Sequence, residues 1–364
     1  MSKSIVYINE GLDILSLILE RVKSKKVFIV TGKNSFQSVK KAIEIQLVGK
    51  SVFIFNDFSK NPQINDIQKG ILAFKKFSPD LVLAIGGGTA IDVAKSIKIL
   101  VKQKNSLEDY ILGNKGIVYK SFKPLVVMPT TAGTGSEATH FSVVYIDKKK
   151  YSLASLYMLP DFVILDPLLV ISMPKYVAAC TAFDALTQAI ESFWSVNATF
   201  ESKKYAREAI ELILPNMVES INSPSLVTKS NMVKAAYLSG CSINITKTTA
   251  PHAMSYSFTS HFGVAHGHAV AALLAPTALI TYELCNDEQK SIINDIFKLF
   301  NCYGADEFYN KWLSLMNLCG LSSQLNDYNV DAKVIVKEVN VERMKNHPVK
   351  LSAKDIDVIV ESIV

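Results

Sequence analysis

The sequence predicts two domains in series: an α/β domain with a doubly wound parallel sheet over residues 1–167, then an all-helical domain over residues 168–364. Three observations carry this. Apolar runs and amphipathic segments alternate through the first third, the alternation stops near Pro167, and nearly everything beyond it has helical spacing. At 364 residues the chain exceeds one ordinary core, and 49% hydrophobic with 20% charged residues is a globular balance.

Lys26–Thr31 (KVFIVT) is a continuous apolar run of the kind found in buried parallel strands. Ser35–Leu47 follows with helical spacing, and Val52–Phe55 is a second strand. Pro62 opens a helical stretch to Phe77, and Asp80–Ile85 (DLVLAI) is a third strand. Thr89–Val101 is a helix with Ile91, Ala94, Ile97 and Val101 on one face. Pro124–Met128 adds a strand to the same sheet, and shorter strands follow between Lys148 and Leu165. A domain boundary falls at residues 166–170, after which Ala179–Phe193, Tyr205–Met217, Thr228–Ser239 and Ala269–Leu284 are helical.

The net charge of +6 is scattered and forms no arginine-rich block, which argues against nucleic acid and for an anionic small molecule. Met1–Glu10 lacks a signal-peptide pattern, and the longest apolar stretch, Ala269–Ile280, is too short to span a membrane. Five widely spaced cysteines without CxxC are expected as free thiols in a reducing cytoplasm.

Gly86-Gly87-Gly88-Thr89 lies between a strand and a helix, where glycines admit a phosphate to the helix N-terminus. It is not G-x-G-x-x-G. A second turn, Pro129–Glu137 (PTTAGTGSE), offers two glycines and four hydroxyls. Four of the six histidines, His252, His261, His266 and His268, fall within seventeen residues. Asp184 and Gln188 stand i, i+4 on one helix face. Together such oxygens and imidazoles suit Fe(II) or Zn(II).

The set GGGTAIDVAK, PTTAGTGSEAT, DALTQAIES and PHAMSYSFTSHFGVAHGHA resembles the group III, iron-containing alcohol dehydrogenases over nearly the whole chain. The resemblance implies a Rossmann-like dinucleotide-binding domain and a helical metal-binding domain of the dehydroquinate synthase-like fold, with the active site between them and a homodimeric assembly. It implies metal ligation by Asp184, His252 and His266. Gln188 stands where the family has a histidine and is the expected fourth ligand. It also implies that Gly86, Gly87, Gly88, Thr130, Thr131, Thr134 and Ser136 hold the cofactor, with Asp92 near the nicotinamide and Lys150 near the ribose. Tyr256 stands where many members carry a histidine near the substrate, so the proton for hydride transfer is expected through its phenol, a water chain, His268 or His261.

NAD-preferring members carry an aspartate where Gly32 stands. Gly32, Lys33 and Ser35, with Lys40 and Lys41 nearby, therefore point to NADPH over NADH. The glutamine and TKTTAPHAMSY are similar to a subgroup containing phosphonoacetaldehyde reductases, with Lys247 as anchor for a phosphonate. Two other readings stand beside this one. A dehydroquinate synthase-like lyase would want more basic residues than Arg207, the single arginine between residues 150 and 300. A non-catalytic nucleotide-binding member would explain Gln188 and Tyr256.

Overall fold

A computed structural model describes residues 4–147, 149–339 and 341–364. Contacts divide the chain into two compact units. One runs through Thr131 and resumes at Gly135–Met173; the other joins Ala132–Thr134 to Pro174–Val364.

The first unit contains β1 (Ile5–Ile8), α1 (Ile14–Arg21), β2 (Lys26–Thr31), α2 (Lys33–Gln46), β3 (Ser51–Phe55), α3 (Ile64–Phe77), β4 (Leu81–Gly86), α4 (Gly88–Leu100), α5 (Leu107–Ile111) and β5 (Leu125–Pro129). After these come β6 (Phe141–Ile146), β7 (Lys149–Ala154) and β8 (Phe162–Leu165). Six strands form a sheet in the order β1-β8-β5-β4-β2-β3, parallel throughout, while β6 and β7 make a separate antiparallel pair. The strands β4, β5 and β8 are buried along their whole length, which accounts for their unbroken apolar sequences. Helix α4 packs on β4 and carries β6 against it. Phe28, Phe55 and Phe74 anchor the core under α3. The chain steps from β2 outward to β3, then returns to place β4 on the other side of β2. That reversal opens a crevice at the carboxyl ends of β2 and β4, where doubly wound sheets take their ligands.

The second unit contains α6 (Lys175–Trp194), α7 (Phe200–Asn222), α8 (Leu226–Thr246), α9 (Ala250–Phe262), α10 (His266–Leu284), α11 (Asp287–Leu299), α12 (Ala305–Leu318), α13 (Ala332–Glu338), α14 (Val341–Met344) and α15 (Ala353–Glu361). Helix α6 is its axis. From Ala178 to Trp194 every residue except Thr181 is buried, under α7, α8, α10 and α11. Capping boxes start α7 (Thr199 with Ser202) and α8 (Ser225 with Thr228), fixing their entry points. Trp312 on α12 packs against Phe183 of α6 and donates its indole N–H to the Ala271 carbonyl of α10. At the start of α10, a Cβ on Gly267 would lie 1.9 Å from the Cys180 carbonyl oxygen, so the α6 and α10 backbones touch there. Among the described residues no helix is long and apolar enough to cross a membrane, and all five cysteines are free thiols.

Candidate metal centre and phosphate-binding turns

Three helices of the second unit bring Asp184 (α6), His252 (α9) and His266 (α10) together. One ligand atom from each lies within 4.8 Å of the others. His252 Nε2 is 3.2 Å from Asp184 Oδ1, and His266 Nε2 is 3.8 Å from the same oxygen. Asp184 and His252 are buried, whereas the His266 side chain keeps 31% of its surface exposed, so the cluster has one open side. Tyr256 stacks on His266, with the ring planes 22° apart. Ser255 Oγ stands 3.4 Å from His266 Nδ1.

Gln188 enters the cluster amide-first. Its Nε2 donates to Asp184 Oδ1 at 3.1 Å, and its Oε1 accepts a long 3.4 Å bond from Ser239. Burial opposes ionisation of Asp184, but the His252 hydrogen bond, the charges of His266 and His252, and the Gln188 amide hold its carboxyl below the ordinary value. Burial equally opposes the His252 imidazolium, yet Glu191 and Asp184 drive it up to about 10. Two buried carboxylates around one imidazole are the chemistry of a cation site.

Glu191 was not singled out from the sequence. It is fully buried, two turns on from Asp184 on the same face of α6, and its Oε2 pairs with His252 Nδ1. The i, i+4, i+7 spacing of Asp184, Gln188 and Glu191 was the available signal. Two other histidines lie outside the cluster. His261 sits at the end of α9 and pairs with Glu338 at 2.6 Å. Buried His268 has Nε2 2.7 Å from the Ser322 carbonyl and Nδ1 3.2 Å from the Tyr176 hydroxyl, which also meets Tyr328. Burial lowers its pKa against the Ser322 hydrogen bond. Lys247 is exposed at the end of α8 with φ 62° and ψ −178°, a region that side chains other than glycine seldom occupy.

In the first unit the β2–α2 and β4–α4 turns converge. Gly86 has φ 156°, and a Cβ there would meet Ala90 at 2.7 Å and Ser35 Oγ at 3.6 Å. Gly87 caps α4 and Gly88 begins it, so the free N–H groups of the helix face the crevice. A Cβ on Gly87 would lie 3.2 Å from the Thr131 side chain, and the Thr130 amide bonds the Gly86 carbonyl. Gly32 caps α2, Lys33 is exposed and Ser35 is half-buried beside Gly86.

Asp92 and Ser136 are instead turned into each other. Ser136 donates to Asp92 Oδ1 at 2.6 Å, and the Val143 amide donates to Oδ2 at 2.9 Å. Fully buried Lys95 is bonded to Ser136, Thr139 and Phe141. These residues brace the PTTAGTGSEAT turn on α4. Burial pushes the Asp92 carboxyl up despite Lys95 and brings the Lys95 ammonium down to about 8. Lys150 on β7 lies within electrostatic reach of Asp92. Thr134 is half-buried in the short segment that packs with the second unit, where a Cβ on Gly133 would meet the Thr181 backbone at 2.9 Å.

A parallel nucleotide-type sheet followed by a helical unit with an Asp-His-His cluster defines a class of metal-dependent dehydrogenases, and sequence comparison places the chain within it. Residues 2–167 match the family described as iron-containing alcohol dehydrogenase, and residues 178–364 match its C-terminal domain. The chain belongs to the iron-containing alcohol dehydrogenase family. It is 33% identical over 248 residues to long-chain-alcohol dehydrogenase 1 of Geobacillus thermodenitrificans, covering 68% of this chain and 63% of that protein. It is 31% identical to 1,3-propanediol dehydrogenase of Citrobacter freundii, covering 77% and 74%. The match covers only 37% of the aldehyde-alcohol dehydrogenase 2 of Entamoeba histolytica, so the chain spans less than two thirds of several curated relatives. Among solved structures, the sulfoacetaldehyde reductase of Bifidobacterium kashiwanohense in complex with NAD+ superposes with a TM-score of 0.89 at 26% identity, covering 100% and 97% of the two chains. An iron-containing alcohol dehydrogenase of Thermotoga maritima gives 0.85 at 26% identity, covering 100% and 98%.

Proposed function

We propose that the chain is a divalent-metal-dependent, nicotinamide-linked oxidoreductase that reduces a small aldehyde bearing a tetrahedral anion, first of all phosphonoacetaldehyde to 2-hydroxyethylphosphonate. The observation that carries this is the Asp184, His252 and His266 cluster on a buried helical core. Fe(II) or Zn(II) suits that donor set and, when bound, withdraws electron density from a carbonyl oxygen. Gln188 is the fourth ligand. Its Oε1 is held only by the long Ser239 bond, so turning the amide exchanges its contact with Asp184 for ligation.

The glycine cradle at Gly86 and Gly87, walled by Thr130 and Thr131, fits a dinucleotide pyrophosphate, with Asp92 and Ser136 holding the turn in place. Gly32, Lys33 and Ser35 leave room and charge for a 2′-phosphate, which favours NADPH. Buried His268, linked through Tyr176 to Tyr328, supplies a route for the proton. The active form is a homodimer joined through the edge strands of the first unit, acting in the cytoplasm.

Lys247 is the anion anchor. Its glycine-only backbone conformation costs about 1–3 kcal/mol, a cost that persists where a side chain is needed for more than the fold. The relative named sulfoacetaldehyde reductase supports the class, because a sulfonate has the tetrahedral shape of a phosphonate. The test is an NADPH-oxidation screen over phosphonoacetaldehyde, sulfoacetaldehyde, succinic semialdehyde and uncharged aldehydes, with iron and zinc each supplied. Lys247→Gly should raise Tm while raising KM for the anionic aldehydes alone. Equal turnover of anionic and uncharged aldehydes would remove the anion from the assignment.

A further inference from the structure

We infer that Glu191 is the positioning residue of the metal centre: it fixes His252 with Nδ1 as hydrogen-bond donor and turns Nε2 toward Asp184 as the ligand atom. The inference rests on the metal reading above and concerns a residue with no place in the ligand set.

Glu191 has no exposed surface, and each of its oxygens is committed to the start of α9. Oε1 accepts from the Thr249 amide and the Thr249 hydroxyl, both at 2.9 Å, and from the His252 amide at 3.3 Å. The Thr249 hydroxyl is held from behind by the Trp194 indole N–H at 3.0 Å. Oε2 is left for one partner, His252 Nδ1. Pro251 sits within the same first turn and has no amide to satisfy. One buried carboxylate thus accepts the Thr249 and His252 amides at the α9 N-terminus and grips the imidazole that the helix presents.

Glu191 already accepts three hydrogen bonds through Oε1, so its carboxyl group is set as an acceptor and Nδ1 is the donor opposite Oε2. Nε2, which shares a proton with Asp184 Oδ1 at 3.2 Å, is then the ring nitrogen that would give up its proton to ligate a metal. An imidazole held by a buried carboxylate is more basic and cannot turn away, and both effects strengthen ligation. Asp184 and Glu191 share one face of α6, so that helix sets the ligand and the residue that aims its partner at a fixed separation.

Glu191→Gln is the decisive variant. Its amide keeps the shape and an oxygen for Thr249, but places an N–H donor against His252 Nδ1 and so favours a proton on Nε2, the wrong nitrogen. Cobalt(II) titration of chelator-stripped full-length protein, followed by d–d absorption, should show about 10–100-fold weaker binding than wild type. Glu191→Asp should recover part of that loss. The zinc-loaded wild type, labelled at histidine with 15N, should show a strongly downfield, slowly exchanging proton on His252 Nδ1. This last measurement needs no variant to fold. Wild-type cobalt affinity in a folded Glu191→Gln protein, or no such proton in the zinc-loaded protein, overturns the inference while leaving the metal site in place. Failure of the wild type itself to bind cobalt overturns the metal reading, and the inference with it.

Discussion

Gly267→Ala would push α6 and α10 apart at the point where their backbones touch. The added Cβ would stand 1.9 Å from the Cys180 carbonyl oxygen, 2.5 Å from its carbonyl carbon and 3.1 Å from its Cα. None of these atoms ends a flexible side chain, so relief requires moving a helix rather than a rotamer. Ordinary overpacking costs about 1–3 kcal/mol, and a clash with a helix backbone belongs at or above the top of that range. For a domain of this size, about 3 kcal/mol corresponds to a Tm fall of about 6–12 °C. The same movement carries His266, the preceding residue, away from Asp184, so bound metal should fall with stability. Gly263→Ala is the matched control. Gly263 has φ 72° but open space around it, so its cost is local strain of about 1–2 kcal/mol without loss of metal. Calorimetry and metal analysis of both variants decide the matter. A Gly267→Ala protein with wild-type Tm and full metal content would refute the claim that this glycine sets the α6–α10 contact.

Asp184→Asn removes the carboxylate shared by both histidines and should leave dialysed protein with under about a tenth of the wild-type metal, measured by elemental analysis. Gly32→Asp places a carboxylate at the cap of α2 and should lower the NADPH-to-NADH ratio of kcat/KM by about tenfold or more, equivalent to about 1.4 kcal/mol. A wild type that already prefers NADH tenfold would refute the cofactor assignment. His347 is buried, with Nε2 2.9 Å from Thr281 Oγ1, and burial brings its pKa down to about 3. The fold therefore holds it neutral while the unfolded chain takes up a proton below about pH 6.5, so its stability contribution is whole above that pH and shrinks towards pH 3. His347→Gln should lose about 1 kcal/mol less than wild type between pH 7 and pH 5.5, read from chemical denaturation at each pH.

The sheet was legible where burial on both faces leaves a continuous apolar run, as in KVFIVT and DLVLAI. Strand β1 was not. It is four residues long and pairs with β8, more than 150 residues away, so nothing local marks its role. The helices of the second unit were legible in position but short at their ends. Helix α6 begins at Lys175 rather than Ala179, and α7 and α8 extend to cap residues lying outside the apolar periodicity. Spacing marked Asp184 and Gln188 on one helix face and a cluster of four histidines, and the motif resemblance was needed to choose His252 and His266 among those four. Asp92 illustrates the reverse case. Its motif suggested a ligand-facing carboxylate, yet both oxygens are spent on Ser136 and the Val143 amide, a pairing that depends on how α4 meets β6.

The two units use their motifs in the same way. In GGGTAIDVAK the elements we propose to face a ligand are the Gly86 and Gly87 backbone at the helix start, while Asp92 and Lys95, one to two turns on, reach back to hold the neighbouring turn. In DALTQAIES the proposed metal-facing element is Asp184, while Glu191, two turns on, reaches across to hold α9. In each case a buried charged side chain is saturated with hydrogen bonds from the very segment that completes the site. A buried charge left without those partners would cost several kcal/mol, so the partner segment cannot drift without a large penalty. Rigidity at both sites therefore follows from placing one fully satisfied charge behind each presenting residue. Catalytic precision should accordingly be as sensitive to Lys95 and Glu191, which need touch neither cofactor nor substrate, as to the residues in front of them.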